Sequence, residues 1–298
     1  MYTPFLLSAQ TFEWAKNYDY GAQDTPSSIG TDKYGNVYIK GRSHYSTGGS
    51  GGYSYSMLWK LNNAGNMVWA DTMNTGGSMV TDSLGNIYIA GGIVSKYDNN
   101  GQQLWASGSN IATASFRNIS INPLGGVVAI GNALISDTTK SILAYYDENG
   151  NCLWTKVGLF PFGTMYFPLT CDEYGNSYIA GSTDVSSIGT NFGFLAKIDY
   201  NGNLIYNETI PHIPHEIIID NQNNIYVAGE FGSSYPINID GVIHYANDAS
   251  KFLIKYNQQV NVLWYKMIGG SVGHYDIATD NSNNLHITIG HSSLFIDS

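Results

Sequence analysis

Short apolar runs, each cut off by an Asp- or Asn-led turn, recur along the whole of this 298-residue chain. Val37-Tyr38-Ile39, Ile87-Tyr88-Ile89-Ala90 and Ile225-Tyr226-Val227-Ala228 are apolar at consecutive positions, so both faces of each predicted strand are buried. Apolar spacing of the helical kind is nearly absent. The stretch Asp32-Lys33-Tyr34-Gly35-Asn36-Val37-Tyr38-Ile39 returns from Asp82, Asn122, Asp172, Asp220 and Asp280, at steps of 50, 40, 50, 48 and 60 residues. A second motif is interleaved with it: Asn62-Asn63-Ala64-Gly65-Asn66-Met67-Val68-Trp69 has relatives ending at Trp105, Trp154, Tyr206 and Trp264. Periods of this length mark a repeat architecture.

Each repeat reads as two β-hairpins. In the turn, the Asp side chain accepts hydrogen bonds from nearby backbone N–H groups, and Gly supplies positive φ without a Cβ clash. Gly in a three-to-five-residue connection is a favoured hairpin signal. Val260 stands where the other copies of the second turn carry Gly, which predicts a locally different turn there. Four short antiparallel strands repeated about six times predict an all-β fold, a single β-propeller of about six four-stranded blades. A β-helix coil needs fewer residues per repeat, and leucine-rich repeats need regular leucines and helices. Trp and Tyr then fill the gaps between stacked blades. The length alone suggests two domains, but the unbroken repeat predicts one over residues 11–298.

Ring closure has two readings. Counting Trp14, there are six outer aromatic strands and six Asp/Asn turns. The last blade is either incomplete or closed by the N-terminal strand Thr11-Phe12-Glu13-Trp14-Ala15-Lys16, which would hide sheet edges. Its third strand would come from Pro4-Phe5-Leu6-Leu7 or from Ser293-Leu294-Phe295-Ile296. Residues 1–10 read as a signal-peptide remnant, from the Phe5-Leu6-Leu7-Ser8-Ala9-Gln10 run, or as an edge strand. No apolar run is long enough for a transmembrane helix.

The formal net charge of −10 and only 13 Lys and Arg, scattered along the chain, argue against nucleic acid and anionic membrane as partners. The 23 Tyr and low Lys content suit an extracellular surface, and they follow equally from Tyr in strands and Asn in turns. Cys152 opens an outer strand and Cys171 ends the inner strand of the next blade. Those places lie beyond the roughly 7 Å Cα limit of a disulfide, which predicts two buried free thiols. No Cys-x-x-Cys pair or calcium loop is present, so no metal or other cofactor is expected.

The pattern Ile-x-x-Asp-x-x-Gly-Asn-x-Tyr-Ile-Ala-Gly, followed by Phe-Leu-x-Lys-x-Asp-x-x-Gly-Asn-x-x-Trp, is clearest over residues 171–181 and 194–206. It resembles the SBBP-type β-propeller repeat of secreted and surface bacterial proteins of the Bacteroidetes type. The resemblance implies a secreted or cell-surface location and a monomeric domain within a longer chain. It carries over no catalytic residues, because the matched positions build turns and strands.

In an up-and-down blade the first and third turns share one face of the disk, and the second turn and the blade connections share the other. Length variation falls on the second face, in residues 42–56, 133–140, 182–193 and 230–250, which makes it the candidate binding surface. The candidate ligand-binding residues there are His44, Tyr45, His212, His215, Glu216, His274, Tyr275 and Asp276. His212 and His215 with Glu216 form a cluster between prolines that suits acid–base or metal chemistry, or a water-satisfied loop. The Gly-rich run 46–52 after His44 and Tyr45 reads as a mobile recognition loop. It lacks the Lys-Ser/Thr ending of a phosphate loop. Binding or adhesion to glycan or protein ranks first, a structural spacer second, and a quinone-dependent or hydrolase-type enzyme third.

Overall fold

The computed structural model describes residues 23–46, 52–73, 76–160, 167–183, 192–210, 213–231, 236–245, 250–269, 275–280, 283–289 and 295–296. All regular structure among them is β-strand. The first sheet runs Gln23–Thr31, Val37–Ser46, Gly52–Leu61, Met67–Met73 in simple antiparallel order. Three more four-stranded sheets follow with the same neighbour order. Their innermost strands are Met79–Thr81, Ser115–Ile121 and Leu169–Cys171. The fifth sheet starts at Ile213–Ile219, and the sixth pair comprises Tyr275–Thr279 and Leu285–Ile289. Each innermost strand contacts the innermost strand of the next sheet, from the first through to the sixth. That serial contact is how propeller blades stack around a common axis.

The Asp- or Asn-led turn is one structure repeated eleven times among the described residues. In every copy the first residue donates its N–H to the carbonyl four residues on and accepts from the N–H three residues on. At Asp32 the carboxylate also takes the N–H groups of Tyr34 and Asn36, both at 2.9 Å, and the Asn36 amide at 2.7 Å. Burial opposes ionisation of Asp32, but these bonds outweigh it and hold its carboxyl below its ordinary value. Val260 does not change the turn. Its N–H still reaches Asn257, and its φ is 61°, in the left-handed region Gly occupies elsewhere.

The reason lies across the sheet boundary. Trp105 of the second sheet donates to the Glu148 carbonyl of the third sheet's outer turn at 2.9 Å, and Trp154 donates to Tyr200 of the fourth at 3.0 Å. A Cβ on Gly150 would lie 2.7 Å from the Trp105 ring, and one on Gly202 would lie 3.0 Å from Trp154. Those two indoles therefore rest on a glycine in the facing turn, whereas a Cβ on Gly101 would meet Trp69 at an ordinary 3.4 Å. The fourth sheet carries the smaller Tyr206 at the indole position, and the facing turn carries Val260; both pack against one apolar cluster. The smaller ring leaves room for the side chain.

The Gly of the Tyr-Ile-Ala-Gly motif has a different cause. Bulges shift the inner-strand register between Pro26 and Ser28, opposite Ile130 and Gly131, and between Pro214 and Glu216. They leave Ser27, Arg117 and His215 as the extra residues, and they accommodate Pro26 and Pro214, which cannot donate to a ladder. Opposite the bulges, a Cβ on Gly41, Gly131 or Gly229 would collide with the carbonyl oxygen of Thr25, Ser115 or Ile213.

A buried Asp–Tyr–Lys set ties the turns of the fourth and fifth sheets together, whereas Lys60 and Lys96 of the first two sheets donate to the next sheet's turn. Asp220 accepts from Lys255 at 3.0 Å and Tyr226 at 3.2 Å, and Lys255 lies over the Tyr226 ring. Asp172, Tyr178 and Lys197 repeat the set. The third sheet has Asn122 instead of Asp, and all three members change together. Val128 replaces the Tyr, and Tyr145 replaces the Lys, donating to Gly125 at 2.6 Å.

Several expectations are corrected. Most of the 42–56 stretch is a strand ribbon rather than a loop, with pairing from Arg42↔Ser56 out to Ser46↔Gly52. Residues 133–140 are a tight hairpin turning at Ser136 and Asp137, both at positive φ. Residues 230–250 hold a small hairpin, Ile237–Ile239 with Val242–His244, turning at Asp240-Gly241. Phe295–Ile296 adds a fifth strand beside Val262–Gly269 rather than a third strand to the sixth blade. Cys152 and Cys171 are free but half-buried. Trp14, the 11–16 strand and the 1–10 segment lie outside the described residues.

Removing a facing aromatic should cost stability. Trp154→Ala is expected to lower unfolding free energy by about 2–4 kcal/mol, somewhat under a full core truncation because the indole is half-buried; a denaturant midpoint equal to wild type would refute its structural role. Tyr206→Trp alone should destabilise by about 1–3 kcal/mol through overpacking. Adding Val260→Gly should recover most of that loss, and strict additivity of the two changes in a double-mutant cycle would disprove the size coupling.

Candidate functional site

The turns that define the repeat occupy one end of the sheets. Lys33 donates its backbone N–H to Ser83 of the next sheet's turn, Asn122 donates to Gly175, and Asn221 donates to Asn283. The opposite end holds the inner-strand starts, the ribbon beyond Arg42 and the 237–244 hairpin. The candidate residues that are described fall at this end.

His44 is exposed on the first ribbon, with its Nδ1 2.9 Å from the Ser54 hydroxyl on the paired strand. Tyr45 pairs through its backbone with Tyr53. His215 and Glu216 sit inside a strand, not in a connecting loop as the flanking prolines suggest, because the bulge at Pro214 lets the strand continue. Tyr275 and Asp276 likewise begin a strand. His212 and His274, and the side chains of Tyr45 and Tyr275, lie outside the described residues.

The structure brings Glu216 and Asp276 into electrostatic contact on adjacent inner strands. Both stand four residues before their turn Asp, so they occupy the same level around the axis. Burial, reinforced by the Asp276 charge, pushes the Glu216 carboxyl up to about 7. His215 points the other way. Its Nε2 lies 3.4 Å from Glu230 Oε1, and buried Lys251 lies 3.8 Å from Glu230 Oε2. The His215–Glu216 pairing inferred from sequence adjacency is therefore divided between two neighbourhoods, with His215 the extra residue of the bulge.

Sequence reasoning missed Glu230 and Lys251. Antiparallel register pairs them directly, and the alternation of strand faces is the signal that could have found them. It also missed His244, whose Nε2 is 3.1 Å from the Tyr265 hydroxyl. Among the described residues no group of three or more His, Cys, Asp or Glu is arranged to hold a metal ion.

The outer aromatics belong to the scaffold where a following turn covers them. Trp69, Trp105 and Trp154 each donate to the next sheet's turn. Trp264 contacts Tyr226 of its own sheet, with ring centroids 5.9 Å apart, and is 37% exposed. No described turn lies over it.

No helix among the described residues is long and apolar enough to cross a membrane. No curated protein matches the chain. A protein of unknown function from Bacteroides caccae superposes with a TM-score of 0.44 at 14% identity, over 70% of this chain and 89% of that one. A eukaryotic initiation factor superposes with a TM-score of 0.42 at 9% identity, over 91% of this chain and 79% of that one. Neither likeness bears on function. The SBBP beta-propeller repeat family matches residues 19–44, which span the first inner strand, its Asp32 turn and most of the second strand.

Proposed function

We propose that residues 11–298 form one secreted or cell-surface β-propeller of six blade positions, a module that binds glycan or protein on its variable face at the mouth of the central channel. The contrast between the two ends of the sheets carries this reading. At the turn end all six inner turns close with the same pair of backbone hydrogen bonds, five led by Asp and one by Asn122. Four residues before each turn, at the other end, the inner strands run Ser28, Ser78, Asn118, Pro168, Glu216 and Asp276. Scaffold needs are common to all blades, so chemistry that differs from blade to blade at one level is not demanded by the scaffold.

Around the mouth, His44, Tyr45, His212, His215, Glu216, His274, Tyr275 and Asp276 supply rings and hydrogen-bonding groups suited to a neutral glycan. A Glu216 carboxyl poised near neutrality donates a hydrogen bond when protonated and accepts when ionised. A ring of six positions and a place in a longer exported chain are parts of the same proposal. A spacer without a ligand is the competing reading.

Glycan-array screening of the purified protein is expected to give specific hits. Combined Ala substitution of Tyr45, His212 and Tyr275 should abolish them with little change in melting midpoint. Survival of binding in the triple variant would move the site off this face, and an array without hits would favour the spacer.

The Glu216 carboxyl also predicts a pH signature. Its folded value lies above the ordinary 4.5, so between about 4.5 and 7 the folded state holds more proton than the unfolded one. Its contribution to stability should therefore fall as pH rises through that window. Glu216→Gln should flatten this part of a melting-midpoint profile, and an unchanged slope would exclude a buried, Asp276-coupled carboxyl.

A further inference from the structure

A cavity of about 360 Å³ opens between the first and second inner strands, on the same end of the sheets as the channel mouth. Its volume is in the range of small-molecule pockets. Three of the chain's 13 basic residues line it: Lys40, Arg42 and Arg117. Ser27, Ser28 and Ser78 add hydroxyls, and the glycines at 76 and 77 present bare backbone. In a chain of formal net charge −10, this gathering of cations without a lining carboxylate runs against the overall balance.

Lys40 is the central observation. The positions equivalent to it in the second to fifth sheets, eight residues after the turn residue, are Ala90, Ile130, Ala180 and Ala228, all buried and apolar. Lys40 is just as buried, at 3% exposed. Among the described residues its ammonium has no ion-pair or hydrogen-bond partner. Lys60, Lys96, Lys197, Lys251 and Lys255, by contrast, all have one. Burial, and then the like charge of Arg42, lowers the proton affinity of Lys40. Arg42 lies two residues on in the same strand, so it faces the same way, and Arg117 enters from the third sheet as the extra residue of its bulge. A largely buried side chain carrying an unpaired cation is costly, and at this position the second to fifth sheets show that the fold accepts an apolar side chain.

We propose that this cavity is an anion-binding site for a small organic molecule bearing an oxyanion, a carboxylate or a phosphate, held by Lys40, Arg42 and Arg117. The arginines offer planar forks that match either oxyanion bidentately, and Lys40 supplies a desolvated point charge at the cavity wall. Ser27 donates to the Lys40 carbonyl and Ser28 accepts from the Met79 N–H, so the Ser78 hydroxyl and the remaining capacity of these two are left to bond the neutral part of the ligand. The cations of this site are none of the residues named for glycan contact, and the site stands if that reading fails.

Titration calorimetry of the full chain at low ionic strength tests it with three probes that share one ring: glucuronate, glucose 6-phosphate and glucose. At least one anionic probe should bind while glucose does not, and which anion binds identifies the oxyanion. Lys40→Met and Arg117→Gln should each weaken that binding about tenfold or more, whereas Lys40→Arg should largely retain it. Because the unpaired charge is removed, Lys40→Met should also melt no lower than wild type. If Lys40→Met does not fold, the exposed Arg117→Gln variant decides the matter alone. Absence of binding by both anions, equal binding of glucose, or unchanged affinity in the substituted proteins would each overturn the proposal.

Discussion

The contact of an aromatic ring with the bare face of a glycine turn in the next sheet is the constraint on which the remaining structure depends. A four-stranded sheet of this size cannot hide both of its faces alone, and its neighbours are the only cover in a one-dimensional array. The outer edge is the weak place, because sheets splay there and water can enter. Trp105 and Trp154 close it by stacking on Gly150 and Gly202 and capping a turn carbonyl with the indole N–H. The Asp-led turn thereby serves two ends. Its hydrogen bonds fix the hairpin, and its positive-φ glycine presents a flat backbone surface to the ring.

The exceptions obey the same physics. Tyr206 with Val260 keeps the summed volume at the boundary by trading ring size for a side chain in the turn, and the turn tolerates a left-handed Val rather than rearranging. Asn122 with Val128 and Tyr145 shows the matching rule for charge. When the carboxylate is lost, the phenol and ammonium that neutralise it are lost with it. A chain that repeats in this coupled way separates scaffold from specialisation. Lys40 and Glu216 stand out because each puts a charge where sister blades show that none is required.

Much of the architecture was legible in one dimension. Turn spacing, the interleaved aromatic motif and the two-faced apolar strands follow from local rules: Asp accepting from its own turn, Gly at positive φ, and β-branched or aromatic residues in pleated strands. The division of turns between two ends of the sheets was legible for the same reason, since strand order places alternate turns at opposite ends. Less legible were features in which a local signal was overruled. Pro214 reads as a strand breaker, yet a bulge carries the strand past it. The run after His44 reads as a loose loop, yet cross-strand pairing draws it into a ribbon as far as Ser46.

The sequence by itself determined the repeat, the turn chemistry, the all-β class and the sparse basic charge, because each rests on interactions within about ten residues. Only the tertiary structure decided which distant side chains meet. Glu216 finds Asp276 on the next inner strand, His215 faces Glu230, and Lys40 opens with Arg42 onto a cavity that Arg117 reaches from the third sheet. These encounters depend on how successive sheets are rotated about a shared axis and on which face each strand residue presents past a bulge. A one-residue shift in register reverses every such facing, and no local stretch of the chain records it.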